Sequence, residues 1–258
     1  MLKRANVSDL SEIKRLCQGG IIGTKILCYI LAYGFERDFL EVWIIEDDNR
    51  VIGVFTKFYD DITLLTDNTA DTELISVFLE MLYFKTLMCS SDLCDALGFE
   101  DFTKKTGFLF RGIKENHEAD LLAEDDIENA YNLISKEIPG SFGSDREAYL
   151  SFLSDFTFRQ RRGLARGVCT HYNGNVSSVA LTSSETENAA IISGVACDRA
   201  LQKNGFGKKT VLSLAGLLKK ENKEVYVIAL NESAEGFYEH IGFEKNENIA
   251  FVERKDYV

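Results

Sequence analysis

The sequence contains a single proline, Pro139, among its 258 residues, so a proline-rich linker is excluded. It also has only three histidines, and its six cysteines show neither a Cys-x-x-Cys spacing nor the Cys/His spacing of a zinc site. The sequence therefore predicts no metal and no redox-active cysteine pair. Scattered free cysteines are typical of a reducing compartment.

Positive charge is scarce as well. The chain has 29 Lys and Arg against 41 Asp and Glu, which gives a net charge of −12. An acidic chain repels nucleic acid and anionic membranes and favours cationic or amine-bearing partners. The N-terminus has no apolar signal core. We therefore expect a cytoplasmic protein that binds neither nucleic acid nor membranes.

Long hydrophobic runs are missing too. The most apolar stretch, residues 21–35, is interrupted by Lys25 and is shorter than the roughly 20 residues of a membrane span. A buried helix is the better interpretation. With 45% hydrophobic and 27% charged residues, the composition is that of a globular protein of one large or two small domains.

An internal repeat is present. The segment "FYEHIGFE" near the C-terminus matches "LCDALGFE" in the first half, each with a helical run that ends at a glycine. Upstream, "EVWIIEDDNRVIGVFTKF" and "RGVCTHYNGNVSSVALT" both have the pattern of a β-hairpin. The repeat predicts two related α/β units, residues 1–113 and 114–258.

The two halves differ by one insertion. The first half is 19 residues shorter between its hairpin turn and its final glycine, since 49 residues separate Asn49 from Gly98 but 68 separate Gly174 from Gly242. The missing part corresponds to "ACDRALQKNGFGKK". Only the second unit therefore carries a glycine-rich loop.

This loop matches neither common nucleotide motif. Gln202 stands where a Walker loop needs its first glycine, and Thr210 stands where a dinucleotide fingerprint needs its third. Gly205 and Gly207 instead precede an amphipathic helix, whose N-terminal N–H groups and dipole favour an anion such as pyrophosphate. A plain strand-to-helix turn is the alternative at this point.

The wider pattern resembles a known family. "VACDRALQKNGFG" resembles motif A of the GCN5-related N-acetyltransferases (GNATs), and "VYVIALNESAEGFYEHIGF" resembles their motif B, in the right order and spacing. The resemblance covers residues 119–254. It implies a tandem GNAT in which each unit has a mixed, mostly antiparallel central sheet flanked by helices. The first unit would be degenerate because it lacks the cofactor loop.

The resemblance also implies a cofactor site. Acetyl-CoA would be the co-substrate, with its pantetheine arm along the backbone of the motif A strand and its pyrophosphate on the loop amides. The motif A strand would splay from the next strand around a bulge to admit the thioester. The implied cofactor-binding residues are Val195, Ala196, Cys197, Gln202, Lys203, Asn204, Gly205, Phe206, Gly207, Lys208 and Asn231.

Tyr238 is the implied general acid, because a phenol with a pKa of about 10 is protonated at neutral pH and can donate to the departing thiolate. Its counterpart in the first half is Cys94. Without the resemblance, a half-buried helix aromatic beside a core stripe of Phe237 and Ile241 would be the better interpretation. Asn231 has the alternative role of a helix N-cap.

Other roles stay open. Glu185 and Glu187 are candidates for the general base, although a polar loop is the better interpretation of both and a water relay would need no named residue. Phe142, Asp145 and Tyr149 are candidates for an acceptor pocket. One further pair shares a strand face, and we expect it to pack rather than to bind metal: Cys169 and His171.

Together these features predict transfer of an acetyl group to a primary amine of a small molecule or peptide, by direct attack on the thioester. A monomer or a homodimer is expected. The alternative from another class is a non-catalytic acyl-CoA-binding or regulatory module, for which the loop alone would suffice.

Overall fold

Both halves of the chain build the same series of elements. The computed structural model describes residues 1–112, 119–140, 142–143 and 145–254. The first half forms β1 (Leu2–Arg4), α1 (Leu10–Leu16), α2 (Ile21–Tyr33), β2 (Leu40–Asp47), β3 (Arg50–Phe58), β4 (Asp61–Thr66), α3 (Thr72–Met81), β5 (Thr86–Ser90), α4 (Ser91–Ala96) and β6 (Thr103–Phe110). The second half forms β7 (Asp120–Leu121), α5 (Ile127–Glu137), α6 (Arg146–Gln160), β8 (Gly167–Tyr172), β9 (Asn175–Glu185), β10 (Ala189–Cys197), α7 (Phe206–Lys220), β11 (Glu224–Ala229), α8 (Glu232–His240) and β12 (Phe243–Glu253). The repeat inferred from the sequence is thus present element by element.

The described residues fall into two compact units. The first unit contains Met1–Phe108, Ala229–Glu235 and the residues from Lys245 onwards, and the second contains Leu109–Ile228 and Gly236–Glu244. The predicted division between residues 113 and 114 lies outside the described residues and stays a prediction. Each unit has a mixed, mostly antiparallel sheet with helices beside it, so the predicted fold class is confirmed.

The sheet of the first unit is completed by the last strand of the chain. Its strand order is β1-β2-β3-β4-β5-β12-β6. Strand β12 pairs antiparallel with β5, from Ile249 opposite Ser90 to Glu253 opposite Thr86. Ala250 and Val252 are buried in the core of this unit. The second half of the chain therefore supplies an internal strand to the first unit.

The sheet of the second unit has the order β11-β10-β9-β8-β7. Only β10 and β11 are parallel in it, and the remaining pairs are antiparallel. Helix α5 covers one face, where Ile127 and Ile134 pack against Val179 and Leu181 of β9. Helix α7 contributes the buried stripe Val211, Leu214 and Leu218, as its periodicity predicts.

Local sequence explains the turns between these elements. The β8–β9 hairpin turns at Asn173 and Gly174, whose φ angles are 52° and 78°. Two successive positive φ values match the right-handed twist of the flanking strands, and Asn-Gly adopts them at low cost. Gly98 and Gly242 also have positive φ, just after α4 and α8, which confirms the predicted helix ends.

The apolar stretch at residues 21–35 forms α2, and most of its residues are buried. The predicted buried helix is thus confirmed. Among the helices of the described residues, none combines the length and the apolar character needed to cross a bilayer.

Candidate active site

Strands β10 and β11 separate partway along their length. Their parallel pairing runs from Ala189 opposite Glu224 to Ile192 opposite Val227, where it ends although both strands continue. On its other edge β10 stays paired with β9, but the register shifts between Ser193 and Ala196. Gly194 has a φ of 54° within this bulge. A slot with an open β10 edge therefore begins after Ile192.

The predicted strand residues Val195, Ala196 and Cys197 lie beside this slot. The side chain of Ala196 points into the core under α5, whereas Val195 and Cys197 are half-buried. Because β9 occupies only one edge of β10, the backbone along the other edge is available to an extended ligand, in the manner of an added strand.

The loop after β10 is held by its own short-range bonds. Asp198 Oδ1 accepts from the Ala200 N–H at 2.9 Å, and the Asp198 N–H donates to the Ser177 carbonyl at 2.9 Å. The side-chain amide Nε2 of Gln202 donates to the Cys197 carbonyl at 3.3 Å. Asn204 donates through its side chain to the Leu201 carbonyl at 3.3 Å. These bonds tie the loop to itself and leave its outer side exposed.

Two positive φ angles shape the end of the loop. Lys203 has a φ of 64°, and Gly205, which precedes the first residue of α7, has a φ of 85°. A glycine adopts this conformation without the strain that a Cβ would add. The chain can therefore turn sharply into α7 with its N–H groups pointing outward.

These N–H groups have no backbone partners. In the part of the chain that the structure describes, the backbone N–H groups from Lys203 to Lys208 donate to no backbone carbonyl. The Gly207 N–H is directed to the Cys197 sulfur. The other N–H groups of this segment are unpaired, and unpaired donors at a helix N-terminus are a ready site for an anion. The exposed ammonium groups of Lys203, Lys208 and Lys209 add positive charge there.

The C-terminal end of helix α5 contacts the loop through two polar interactions. Lys136 Nζ lies 3.1 Å from Asp198 Oδ2, and the Arg199 N–H donates to Glu137 Oε1 at 3.3 Å. The backbone N–H of Ala200 and then Lys136 lower the pKa of Asp198. The carboxylate that anchors the loop is therefore ionised at neutral pH. On the other side, Thr210 in the first turns of α7 donates to Ser178 of β9 at 2.9 Å.

Cys197 does not have the properties of a nucleophile. Burial raises the pKa of its thiol, and the Gly207 N–H opposes that rise only in part. A reactive cysteine requires a lowered pKa. The described surroundings therefore keep Cys197 as a thiol at neutral pH.

Tyr238 lies in α8 and is 7% exposed. Its ring makes edge contacts with Phe237 and Phe243, with centroids 5.4 and 5.5 Å apart. Phe237 is only half-buried, so Tyr238 rather than Phe237 is the buried aromatic of this helix. Burial raises the pKa of the phenol to about 12. The hydroxyl therefore keeps its proton throughout the neutral and mildly alkaline range.

Asn231 caps α8. Its Oδ1 accepts from the Ala234 N–H at 3.0 Å, and the residue is exposed. The N-cap interpretation is thus confirmed, while its role toward the pantetheine stays a prediction. Asn231 belongs to the residues that group with the first unit, whereas the loop and Tyr238 belong to the second.

Glu185 is fully buried in an ion cluster. Its Oε1 lies 2.5 Å from Lys223 Nζ and 2.5 Å from the Arg166 guanidinium. It pairs with Ala190, near the start of β10. Glu185 therefore serves the packing of the sheet. Glu187 is exposed in the turn that follows.

The candidate pocket residues lie around Tyr131 of α5. Phe142 stacks on that ring with centroids 5.2 Å apart, and Tyr149 meets it edge-on at 5.1 Å. Asp145 caps α6 by accepting from the Ala148 N–H at 2.8 Å. The structure thus brings the three residues together, with one carboxylate oxygen of Asp145 committed to the helix.

The first unit has the same parallel strand pair but a different loop. Strands β4 and β5 pair from Asp61 to Thr63, and residues 67–71, which contain no glycine, lead directly into α3. The Asp71 carboxylate accepts from the Glu73 and Leu74 N–H groups at 3.0 and 3.2 Å. A built-in carboxylate thus fills the helix terminus where an anion would bind. Cys94, the counterpart of Tyr238, is fully buried.

This arrangement can be compared with known proteins. The family model described as FR47-like protein matches residues 167–252. A GNAT-family acetyltransferase from Colwellia psychrerythraea has 12% identity and a TM-score of 0.63, over 98% of this chain and 100% of that one. A tandem GNAT protein from the clavulanic acid biosynthesis pathway, solved without AcCoA, has 13% identity and a TM-score of 0.64, over 98% of both chains. The chain has the tandem GNAT fold.

A GCN5-related N-acetyltransferase from Sphaerobacter thermophilus is similar at the same level, with 13% identity and a TM-score of 0.63 over 98% of this chain and 95% of that one. At such identities the similarity concerns the fold. A comparison with curated protein sequences finds no match. The tandem GNAT arrangement expected from the sequence is thus confirmed, and it extends across the first half, where the motifs are missing.

Proposed function

We propose that the protein is an acetyl-CoA-dependent N-acetyltransferase that acts on a primary amine of a small molecule or peptide, with its active site in the second unit. The observation that carries the proposal is the combination of an open β10 edge with a row of unpaired N–H groups directly after it. The first unit has the parallel strands, but the corresponding helix terminus is already occupied, because Asp71 accepts from the N–H groups of Glu73 and Leu74. The difference indicates a ligand that only the second unit binds.

The described residues fit the two parts of CoA. The pyrophosphate would lie on the loop from Gln202 to Lys208, in which only the N–H groups of Gln202 and Gly207 already have partners among the described residues, the Arg199 carbonyl and the Cys197 sulfur. The extended pantetheine would follow the backbone from Val195 to Cys197. Gly207 leaves the backbone accessible there, since a Cβ at this position would meet only Cys197, at 3.8 Å. Acetyl-CoA supplies the thioester carbonyl that the amine attacks.

Two groups of the chain would take part in the reaction, a backbone N–H of β10 and the Tyr238 hydroxyl. A backbone N–H on the open edge of β10 would donate to the carbonyl oxygen as negative charge develops on it. Tyr238 would donate its hydroxyl proton toward the departing thiolate. Glu185 is not a suitable base, because its carboxylate is fully buried and paired with both Arg166 and Lys223.

The proposal is tested in two steps on the full-length protein. Acetyl-CoA should raise the thermal unfolding midpoint, since a ligand that binds only the folded state stabilises it. Free thiol release is then measured with acetyl-CoA and a broad panel of primary amines. Absence of stabilisation at saturating acetyl-CoA would contradict the cofactor assignment.

The alternative is a non-catalytic acyl-CoA-binding module. The exposed cofactor loop is compatible with it, because binding needs the loop alone. Stabilisation by acetyl-CoA without amine-dependent thiol release from any member of the panel would favour this second function.

A further inference from the structure

Four side chains with metal-binding chemistry meet at the β7–β8 edge of the second unit, outside the cofactor site. Cys169 and His171 lie on the same face of β8, two residues apart. Asp120 of β7 pairs with Cys169 across the sheet. Asp126 comes from the 3-10 turn Glu124–Asp126 just before α5. The sequence predicts simple packing for the cysteine and histidine, but it does not reveal that two carboxylates join them.

The ligand atoms of three of these residues are close enough to share an ion. His171 Nε2 lies 3.2 Å from Asp126 Oδ1. One ligand atom each from Asp126, Cys169 and His171 forms a group in which all separations are within 4.8 Å. Two ligands at about 2.1 Å from a tetrahedral zinc ion lie roughly 3.4 Å apart, close to the observed nitrogen–oxygen separation.

The fourth side chain holds the other nitrogen of the imidazole. His171 Nδ1 lies 3.4 Å from Asp120 Oδ2. Ligating histidines usually donate their second N–H to a carboxylate, which fixes the tautomer and the orientation of the ring. Asp120 is in the position for this role.

The carboxylate of Asp126 is not used to cap α5. Asp126 has helical φ and ψ angles of −93° and −10°, at the junction of the 3-10 turn with α5, and its side chain makes no capping hydrogen bond. Asp9, at the corresponding junction before α1, has the same conformation and also makes none. The Asp126 carboxylate is directed to His171.

Cys169 closes the site on its inner side. Its side chain is fully buried, and among the described residues its sulfur makes no hydrogen bond. His171 and Asp126 are partly exposed, with side-chain exposures of 32% and 23%. The side of the site that faces solvent is therefore formed by His171 and Asp126, and Cys169 lies at the border of the apolar core.

We propose that Asp126, Cys169 and His171 bind a divalent zinc ion, with Asp120 orienting the imidazole. One sulfur, one nitrogen and one oxygen ligand suit Zn²⁺ rather than Mg²⁺ or Ca²⁺, which prefer all-oxygen sites. The ion replaces the direct contact between Asp126 and His171, and the thiol releases its proton to solvent as the sulfur binds. Water fills the fourth position.

A bound ion would also link the start of α5, through Asp126, to strand β8, through Cys169 and His171. The C-terminal end of the same helix braces the cofactor loop through Lys136 and Glu137. Bound zinc should therefore raise the thermal unfolding midpoint of the protein.

The test uses untagged, full-length protein after dialysis against a chelator. Titration with Co²⁺ should give one equivalent of binding, with a thiolate-to-cobalt charge-transfer band and the strong visible absorption of tetrahedral cobalt. Added Zn²⁺ should remove both bands. The lack of a charge-transfer band at saturating Co²⁺ would overturn the proposal.

Substitutions assign the ligands. Cys169→Ser should abolish the charge-transfer band, whereas Cys17→Ser, which changes another buried thiol, should retain it. His171→Asn changes an exposed position and tests the site even if Cys169→Ser fails to fold; it should weaken Co²⁺ binding at least tenfold. Asp120→Asn should weaken it by about 10–100-fold. Unchanged Co²⁺ affinity in His171→Asn and Asp126→Asn would refute the assignment.

Discussion

Replacing Tyr238 by Phe is the most informative single perturbation of the proposed active site. The change removes one hydroxyl and leaves a ring of the same shape against Phe237 and Phe243. The fold and acetyl-CoA binding should therefore persist. If the hydroxyl acts as general acid, amine-dependent turnover should fall by about 10²–10⁴-fold, or roughly 3–5 kcal/mol on the barrier.

The pKa of the Tyr238 phenol, about 12, limits when its proton can move to the thiolate. A free thiol has a pKa of about 8.5, so full proton transfer from this phenol to a solvated thiolate is uphill by about 3.5 units, roughly 5 kcal/mol. Burial raises the pKa of the departing thiol just as it raises the pKa of the phenol. The difference between the two pKa values is therefore smaller in the site than in water. The proton should therefore move as the carbon–sulfur bond breaks, and not before.

The pH dependence follows from the sign of this shift. The active form of Tyr238 is protonated, and burial raises its pKa, so that form persists through the ordinary tyrosine range near pH 10. The wild-type rate should show no loss attributable to Tyr238 below about pH 10. The assay is steady-state thiol release across pH with one active amine, for wild type, Tyr238→Phe and Tyr83→Phe, which changes an exposed tyrosine of the first unit. Turnover within threefold of wild type in Tyr238→Phe would refute the assignment.

Three further predictions concern the loop, the ion cluster and the shared strand. Gly205→Ala and Gly174→Ala both force a Cβ into positive φ, with no atom within 4 Å of it, and each should cost about 1–2 kcal/mol of stability in urea unfolding. Only Gly205→Ala should weaken acetyl-CoA binding in calorimetry, by about tenfold; equal affinities would count against the loop. Glu185→Gln should lower the free energy of unfolding by about 1–3 kcal/mol, since Arg166 and Lys223 then keep only Glu221 as an ionic partner, and turnover of the folded fraction should be unchanged. A chain that ends at Gly242 lacks β12, so hydrogen exchange of the β5 N–H groups should accelerate, although β5 keeps β4 on its other edge; full-length protection of β5 would contradict the strand order.

The order of elements could be predicted from the sequence because it depends on local signals. The Asn173-Gly174 turn and the apolar stripe of α7 each depend on neighbouring residues only. The repeat could be predicted for the same reason. The family motifs then indicated the cofactor loop and a bulge in the strand before it, and the structure has a bulge at Gly194 of β10 and an open β10 edge.

Long-range pairing could not be predicted in this way. The sequence offers Glu185 as a polar residue at a strand end, and only the fold brings Arg166 and Lys223 to it. Asp126 lies 45 residues from His171, so its contact with the imidazole depends on how α5 packs beside β8. Asp71 has a capping signal in the sequence. That α3 is capped by a carboxylate whereas α7 has no side-chain cap becomes visible only when the two loops are compared in the structure.

The pairing of β12 with β5 imposes an order on folding during synthesis. Strand β5 leaves the ribosome early, but the strand that completes its sheet follows roughly 160 residues later, about 10–30 s at ordinary translation rates. Until β12 is made, one edge of β5 has no partner strand. An unpaired strand edge beside apolar side chains is prone to aggregation. A chaperone that holds nascent chains should therefore matter more for the first unit than for the second. The two halves, expressed as separate polypeptides, should recover their folds only when they are produced together.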